Sequence, residues 1–177
     1  QGASVAQQGR PVDVNAVIAE AVDRSQLPAE SKNIRIVVGG RTDAKVFGDQ
    51  DLLVTALRNL IDNAIRYSPE NTRVGIGVRS REGLVSISVT DQGEGLSPED
   101  QERVFERFYR VDSARSRHTG GTGLGLSIVK HVASNHGGEV TLWSQPGQGS
   151  TFTLRLPEME GQDGGEQQDP GPVAAPA

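Results

Sequence analysis

The segment from Asp49 to Tyr67 limits the possible folds more than any other part of the sequence. Its apolar residues recur three and four positions apart, which predicts a long amphipathic helix with Asp49 as its N-cap. Ser68 and Pro69 then end the helix. A helix with one buried seam packs on a second layer of structure. The seam consists of Leu53, Leu57, Leu60 and Ala64, widened by Ala56 and Ile61.

Five short stretches are rich in β-branched residues or alternate between apolar and polar residues, as strands of a sheet do. Two pairs of these stretches are separated by short glycine-containing turns, around Gly83 and Gly147, and each pair predicts an antiparallel hairpin. The expected strands cover Ile34–Val38, 73–79, 84–90, 139–144 and 150–156.

N-cap residues and helical spacing indicate three further helices. The first begins after Asp13 and is expected to end near Leu27–Pro28, a short one begins at Ser97–Pro98, and the last covers Leu124–His136. The expected fold is an α/β two-layer sandwich. A mixed, mostly antiparallel sheet of about five strands carries three main helices on one face.

Charge is unevenly distributed along the chain. The net charge is -5, but the last twenty residues hold five acids and no Lys or Arg, which leaves 18 acids and 18 bases in residues 1–157. A formally neutral body gives no reason to expect nucleic acid or an anionic membrane as a partner. The predicted division is a linker remnant at 1–11, one ordered domain at 12–157 and an acidic disordered tail at 158–177.

The chain has no cysteine, which excludes disulfides and thiolate metal sites. No apolar run approaches the roughly 20 residues of a membrane-spanning helix, and residues 1–10 are too polar for a signal peptide. The first residue is Gln rather than Met, which suggests a piece of a longer protein. The expectation is a cytoplasmic domain.

A polar stripe borders the seam of the long helix. Asn59, Asn63 and Arg66 are spaced by four and three, so they lie on one side of the helix. Amide oxygens are suitable ligands for Mg²⁺, and a guanidinium suits phosphate oxygens. Taken alone, the stripe is more simply interpreted as a solvated polar face.

Two glycine-containing segments are further candidates. At Asp91–Gly95 a carboxylate could accept a hydrogen bond from an adenine amine while glycines let backbone approach a flat ligand, although alone this is also a simple Asp-Gly turn. Gly120–Gly125 leads into a helix whose N–H groups could bind an anion. It is neither a Rossmann loop, since no strand precedes it, nor a Walker loop, since Leu126 replaces the lysine. The preceding Val111–Thr122 has few apolar residues and is expected to be a mobile loop.

In chain order these motifs resemble the N, G1, F and G2 boxes of histidine kinases. They are Asn59-x-x-x-Asn63-Ala, Asp91-x-Gly-x-Gly, Phe105-x-x-Phe108 and Gly121-Thr-Gly-Leu-Gly-Leu. The similarity covers roughly Val12 to Pro157. It relates the chain to the ATPase superfamily of gyrase, Hsp90 and MutL, whose fold is the Bergerat sandwich.

The resemblance implies ATP and Mg²⁺ as ligands and gives roles to the matching positions. Asp91 would bind the adenine amine in a pocket shaped by Gly93 and Gly95, and Asn63, supported by Asn59, would hold Mg²⁺. Phe105 and Phe108 would anchor the mobile loop. The remaining contacts to ribose and phosphates would come from Arg66, Tyr67, Arg110, Gly121, Thr122, Gly123, Leu124 and Gly125, with Arg110 at the γ-phosphate.

The resemblance also separates kinase from hydrolase, because the hydrolases carry a water-activating Glu where this chain has Asn59. The implied function is the ATP-binding catalytic domain of a two-component sensor histidine kinase, which transfers the γ-phosphate to a histidine on a dimerisation helix. None of His118, His131 and His136 has the context of such an acceptor, and all three are interpreted as structural or loop residues. The chain alone is therefore expected to be inactive in autophosphorylation.

Two alternatives stay open: a nucleotide-binding regulatory module, and a serine kinase of the anti-sigma-factor type on the same fold. The implied partners are the dimerisation helices of the parent protein and, indirectly, a response regulator. The parent would be a homodimer at the membrane. Phe108–Asp112 and Leu142–Phe152 resemble the phosphate-starvation sensor branch of the family.

Overall fold

A computed structural model describes residues 9–109 and 125–160 of the chain. Its main sheet contains β2 (Arg35–Gly39), β4 (Arg73–Arg81), β5 (Leu84–Thr90), β6 (Glu139–Gln145) and β7 (Gly149–Pro157). The strand order is β2-β4-β5-β7-β6. Strands β2 and β4 are parallel and the other neighbours are antiparallel, so the expected mixed sheet and both hairpins are confirmed.

The second layer consists of helices. They are α1 (Val14–Arg24), α2 (Gln26–Ser31), α3 (Gln50–Tyr67), α4 (Pro98–Arg103) and α5 (Gly125–Asn135). The long helix α3 packs between α1 and α5. Two expected N-caps are confirmed, since Asp49 Oδ1 accepts a hydrogen bond from the Leu52 N–H at 3.1 Å and Ser97 Oγ accepts one from the Asp100 N–H at 3.1 Å. The two-layer α/β sandwich with three main helices is therefore confirmed.

The apolar seam of α3 forms the centre of the core. Leu57, Leu60 and Ile61 are fully buried, and they face strand residues such as Ile87 and Leu154 that are at most 1% exposed. Burying a side chain of this size stabilises the fold by about 1.5–3 kcal/mol. The seam therefore fixes which side of α3 is turned inward, and with it the position of the polar stripe at the seam's edge.

The first helix is shorter than the sequence pattern predicts. Helix α1 ends at Arg24, where the Ser25 N–H bonds the Val22 carbonyl at 3.1 Å, and α2 then begins at Gln26. The prediction of an end near Leu27–Pro28 was wrong because Pro28 lies in the first turn of α2, where its missing N–H costs no hydrogen bond.

A two-stranded ribbon at the edge of the domain was not predicted. Strand β1 (Arg10–Asp13) pairs antiparallel with β3 (Lys45–Gly48). Directly after β7, the Glu158 N–H bonds the Gly83 carbonyl at 2.8 Å, and the Met159 N–H bonds the carbonyl of Lys45 in β3 at 2.7 Å. The hydrogen-bonded body thus includes residues from both the predicted linker and the predicted tail.

Three predicted segments lie wholly or largely outside the described residues: the start of the linker, the loop Val111–Thr122 and the tail beyond residue 160. Among residues 9–109 and 125–160, no helix combines the length and apolar character that crossing a membrane requires.

Candidate functional site

The polar stripe of α3 is set partly into the core. Asn63 is 8% exposed, and Asn59 and Arg66, one turn before and after it, are half-buried. No residue in the described part of the chain hydrogen-bonds the Asn63 side-chain amide. Its two polar atoms remain accessible to solvent, since among the described residues Ser68 Oγ is the only buried side-chain N or O atom without a hydrogen-bond partner. Asn63 therefore offers a carbonyl oxygen to a ligand at the edge of the core.

The start of α5 lies over this stripe. A Cβ built on Gly125 would stand 3.8 Å from both Cβ and Cγ of Asn59. The end of the glycine-rich segment is thus brought against the long helix, which the spacing of the motifs along the chain does not dictate. The other predicted ligand contacts of this segment, Gly121, Thr122, Gly123 and Leu124, lie outside the described residues, as does Arg110.

Asp91 is a buried carboxylate held by backbone. It follows β5 directly and is 5% exposed. Its Oδ1 accepts hydrogen bonds from the Gly93 N–H at 2.9 Å and the Ser150 N–H at 3.2 Å, and its own N–H bonds the Ser150 carbonyl at 2.9 Å. One carboxylate oxygen is therefore occupied by the protein, which fixes the direction of the other.

Burial raises the pKa of Asp91, and the two N–H groups of Gly93 and Ser150 partly oppose that rise. The folded-state pKa thus stands above that of an unfolded chain. For a carboxyl group this sign means that the ionised form lowers stability at neutral pH, and that the cost is relieved as the pH falls through the raised pKa. Ionising Asp91 in the folded protein therefore costs free energy, and such a perturbed carboxyl group is typical of binding and catalytic sites.

The Asp91 loop touches the end of α3. A Cβ on Gly93 would stand only 2.5 Å from the Tyr67 carbonyl oxygen and 3.1 Å from Asp91 Oδ1. Only glycine allows this approach. The contact brings Asp91 beside the last turn of the helix that carries Asn63, Arg66 and Tyr67, so residues about 25 positions apart in sequence meet here.

The far side of the loop is fastened to the β6–β7 turn. Gly95 has φ +74°, and a Cβ there would stand 2.1 Å from the Gln145 carbonyl oxygen. The Gly147 N–H bonds the Glu94 carbonyl at 2.6 Å, and the Leu96 N–H bonds Ser144 Oγ at 2.7 Å. The 91–96 segment is therefore clamped between α3 and the sheet.

The two phenylalanines of the third motif differ in environment. Phe105 packs edge-to-face on Phe152, with ring centroids 5.9 Å apart. Phe108 is 65% exposed and has φ +64°, and the segment that it was expected to anchor lies outside the described residues. The neighbouring Tyr109 is held by residues before it in the chain, since its hydroxyl donates to Asp100 and its ring lies 4.6 Å from the Arg103 guanidinium. The hydrogen bond to Asp100 raises the pKa of Tyr109 to about 12.

Of the two histidines within the described residues, His136 has the structural role that was expected for it. His136 is buried, with Nδ1 against the Val132 carbonyl at 2.7 Å and Nε2 accepting from the Asp49 N–H at 3.1 Å. His131 is exposed and contacts the Asn135 amide at 3.2 Å.

The sequence reasoning did not identify Ser150 as a site residue. It is 5% exposed and joins Asp91 through both its N–H and its carbonyl. Residue 150 was predicted to begin the second strand of the hairpin around Gly147, but only the pairing of β5 with β7 shows that it supports the Asp91 carboxylate.

Comparison with known proteins gives a consistent result. The sequence profile of the histidine kinase-, DNA gyrase B-, and HSP90-like ATPase family matches residues 48–160. The sensor-like histidine kinase SenX3 of Mycolicibacterium smegmatis is 58% identical over 147 residues, which are 83% of this chain and 38% of that protein. The phosphate regulon sensor protein PhoR of Pseudomonas aeruginosa is 40% identical over 147 residues, 83% of this chain and 33% of that protein.

Solved structures are similar as well. The mycobacterial sensor histidine kinase MprB superposes with a TM-score of 0.71 at 33% identity, covering 85% of this chain and 97% of that one. The catalytic domain of the histidine kinase ThkA gives 0.73 at 26% identity, covering 85% and 95%. The chain spans less than two fifths of the length of the SenX3 and PhoR relatives it matches.

Proposed function

Because this chain belongs to the histidine kinase-, DNA gyrase B-, and HSP90-like ATPase family, we propose that it is the ATP-binding catalytic domain of a two-component sensor histidine kinase. The reaction is transfer of the γ-phosphoryl group of ATP to a histidine on a dimerisation helix of the parent protein. The observation that carries the proposal is the contact of Gly93 with the Tyr67 carbonyl, which joins the buried Asp91 to the helix of Asn63.

Each predicted site residue has a role in this proposal. The second oxygen of Asp91 accepts the adenine amine, and Gly93 and Gly95 let backbone approach the base. Arg66 and Tyr67 contact phosphate or ribose. The phosphate groups are held by Arg110 and by the segment of Gly121, Thr122, Gly123, Leu124 and Gly125, whose N–H groups precede and open α5.

The stripe of α3 fits a magnesium ion. Asn63 offers a hard side-chain carbonyl oxygen that has no hydrogen-bond partner among the described residues and stays accessible to solvent, and Asn59 lies one turn away under Gly125. When bound, Mg²⁺ neutralises charge on the phosphates. Asn59 has no proton-accepting group that could activate water, so the site protects ATP from hydrolysis until the acceptor histidine is presented.

Replacing Asn63 by Ala should weaken binding of ATP with Mg²⁺ by about tenfold or more and leave adenosine binding almost unchanged, because only the phosphates use the metal ligand. Calorimetric titration with each ligand measures both. The matched control is Asn135→Ala. Asn135 is an exposed residue at the end of α5 opposite Gly125, and its replacement should alter neither affinity. Equal weakening of both ligands by Asn63→Ala would show that Asn63 is a structural residue.

The proposed function is tested by phosphoryl transfer from γ-labelled ATP. This chain alone should bind ATP, hydrolyse it negligibly and not label itself, because none of its three histidines has the acceptor context. Adding the parent's dimerisation helices as a separate chain should give acid-labile label on those helices. In the parent protein the covalent connection between this domain and the helices would supply an effective concentration of about a millimolar. With the two as separate chains, the rate of labelling should instead rise with the concentration of each.

Several outcomes would contradict this proposal. Alkali-labile, acid-stable label on a partner would indicate a serine kinase, and ATP binding without any transfer would indicate a regulatory module. If this chain labelled itself strongly, and the label disappeared when His118, His131 or His136 was changed to Ala, that histidine would be a phosphate acceptor and the prediction that the chain carries none would be wrong.

We also propose a wider setting for the parent protein. We propose that the chain belongs to the phosphate-starvation sensor branch, with which its 40% identity to a phosphate regulon sensor protein is consistent. The parent is then a homodimer at the membrane with this domain in the cytoplasm, its own dimerisation helices as direct partner and a response regulator as the next phosphate acceptor.

A further inference from the structure

Lys32 belongs to none of the sequence motifs, but its side chain makes three hydrogen bonds to the end of α3. It lies between α2 and β2, and its ammonium group donates to the carbonyls of Ile65 at 2.8 Å, Arg66 at 3.1 Å and Ser68 at 2.7 Å. These carbonyls belong to the end of α3, where the last residues of a helix have no intrahelical N–H partner. A cation there also interacts favourably with the helix dipole.

The backbone of Lys32 holds the same turn from its other side. The Asn71 N–H bonds the Lys32 carbonyl at 3.3 Å, so one residue fastens both the end of α3 and the chain that leaves it. The Asn33 and Asn71 side-chain amides bond each other at 2.5 Å beside it. The segment between these contacts therefore has little freedom to shift along the helix axis.

We propose that Lys32 is a positioning residue of the nucleotide site: by binding the carbonyls at the end of α3, it sets the place from which Arg66 and Tyr67 reach the nucleotide. The end of α3 is also linked directly to the base pocket. Gly93 lies against the Tyr67 carbonyl, and the Gly93 N–H donates a hydrogen bond to the Asp91 carboxylate. This inference rests on the proposed function, since it assumes that the site takes ATP.

A purely structural role for Lys32 makes a different prediction. Loss of three hydrogen bonds would lower the melting temperature in either case. If Lys32 is a positioning residue, its substitution also lowers the affinity of the folded protein for the nucleotide. If it acts through Arg66, that loss of affinity becomes smaller when Arg66 has already been replaced. Lys32 is thereby distinguished from an ordinary stabilising residue by a double-mutant cycle.

The experiment is calorimetric titration of ATP with Mg²⁺ into Lys32→Met, Arg66→Ala and the double variant, at a temperature where circular dichroism shows each to be folded. Lys32→Met should weaken binding by about tenfold, and by less than about threefold in the Arg66→Ala background. Ser25→Ala is the matched control, since it removes a 3.0 Å bond from the α1–α2 junction to Asp62 of α3. It should lower the melting temperature and leave affinity within about twofold.

The inference is overturned if Lys32→Met binds ATP as wild type does, if Ser25→Ala weakens binding equally, or if the Lys32→Met effect persists undiminished without Arg66. Should Lys32→Met fail to fold, Lys32→Gln, which keeps two N–H donors on a shorter side chain, is measured against the same criteria. A wild-type chain that binds no ATP overturns the proposed function and this role together. A wild-type chain that binds ATP, with a Lys32→Met variant that binds equally well, overturns the positioning role alone.

Discussion

Replacing Asp91 by Asn is expected to remove nearly all ATP binding while the domain stays folded. The amide loses a charge-assisted bond to the adenine amine and can turn a donor toward it, which costs about 1.5–3 kcal/mol or more, or about 10- to 150-fold in affinity. Calorimetric titration with ATP and ADP measures the loss.

The fold should tolerate this change for two reasons. The Asn oxygen can still accept the hydrogen bonds of the Gly93 and Ser150 N–H groups. Burial also raises the pKa of Asp91, so removing the charge at neutral pH relieves a cost, and the ligand-free variant should melt at or above the wild-type temperature. Glu94→Gln, the same carboxyl-to-amide change on an exposed neighbour, should leave both quantities unchanged. An Asp91→Asn affinity within about twofold of wild type would refute the adenine assignment.

Replacing Gly95 by Ala should destabilise the domain strongly. The new Cβ would stand 2.1 Å from the Gln145 carbonyl oxygen, on a residue with φ +74°. Because the obstacle is backbone, neither side can move without breaking the clamp of the 91–96 segment. We expect a loss of at least about 2 kcal/mol, which lowers the melting temperature by roughly 5–10 °C.

Gly147→Ala is the control for Gly95→Ala. Gly147 has φ +82° in the turn next to Gln145, but a Cβ added there would meet nothing within 4 Å beyond its chain neighbours. Gly147→Ala should therefore lose only the stability that an alanine at positive φ costs, about 1 kcal/mol. Thermal melts of the two variants isolate the steric part, and equal losses would mean that the close approach of Gly95 to the β6–β7 turn is not maintained in solution.

Regular elements with strong local patterns could be predicted from the sequence. The seam of α3, the N-caps at Asp49 and Ser97, and the two hairpins all depend on residues close together in the chain. The site predictions at Asp91 and Asn63 likewise rest on short, contiguous motifs. The ribbon of β1 and β3 escaped prediction because four-residue strands carry too little periodicity to distinguish them from loop.

Long-range contacts could not be predicted. Ser150 supports Asp91 across 59 positions, and Lys32 reaches the end of α3 across 33 to 36, distances over which no local pattern indicates a partner. A motif also does not show how deeply each of its residues is buried, since Phe105 packs on Phe152 whereas Phe108 of the same motif is 65% exposed.

The order of strands in the main sheet has a consequence for synthesis of the protein. Strand β7 is the last strand of the sheet to be made, yet it is inserted between β5 and β6 and supplies Ser150 to Asp91. While the chain emerges from a ribosome, Asp91 lacks this backbone support until β7 is released, and the edges of β5 and β6 that pair with β7 have no neighbour before then. On the proposed assignment of Asp91 to the base pocket, nucleotide recognition in the nascent protein would begin only after almost the whole domain has been made.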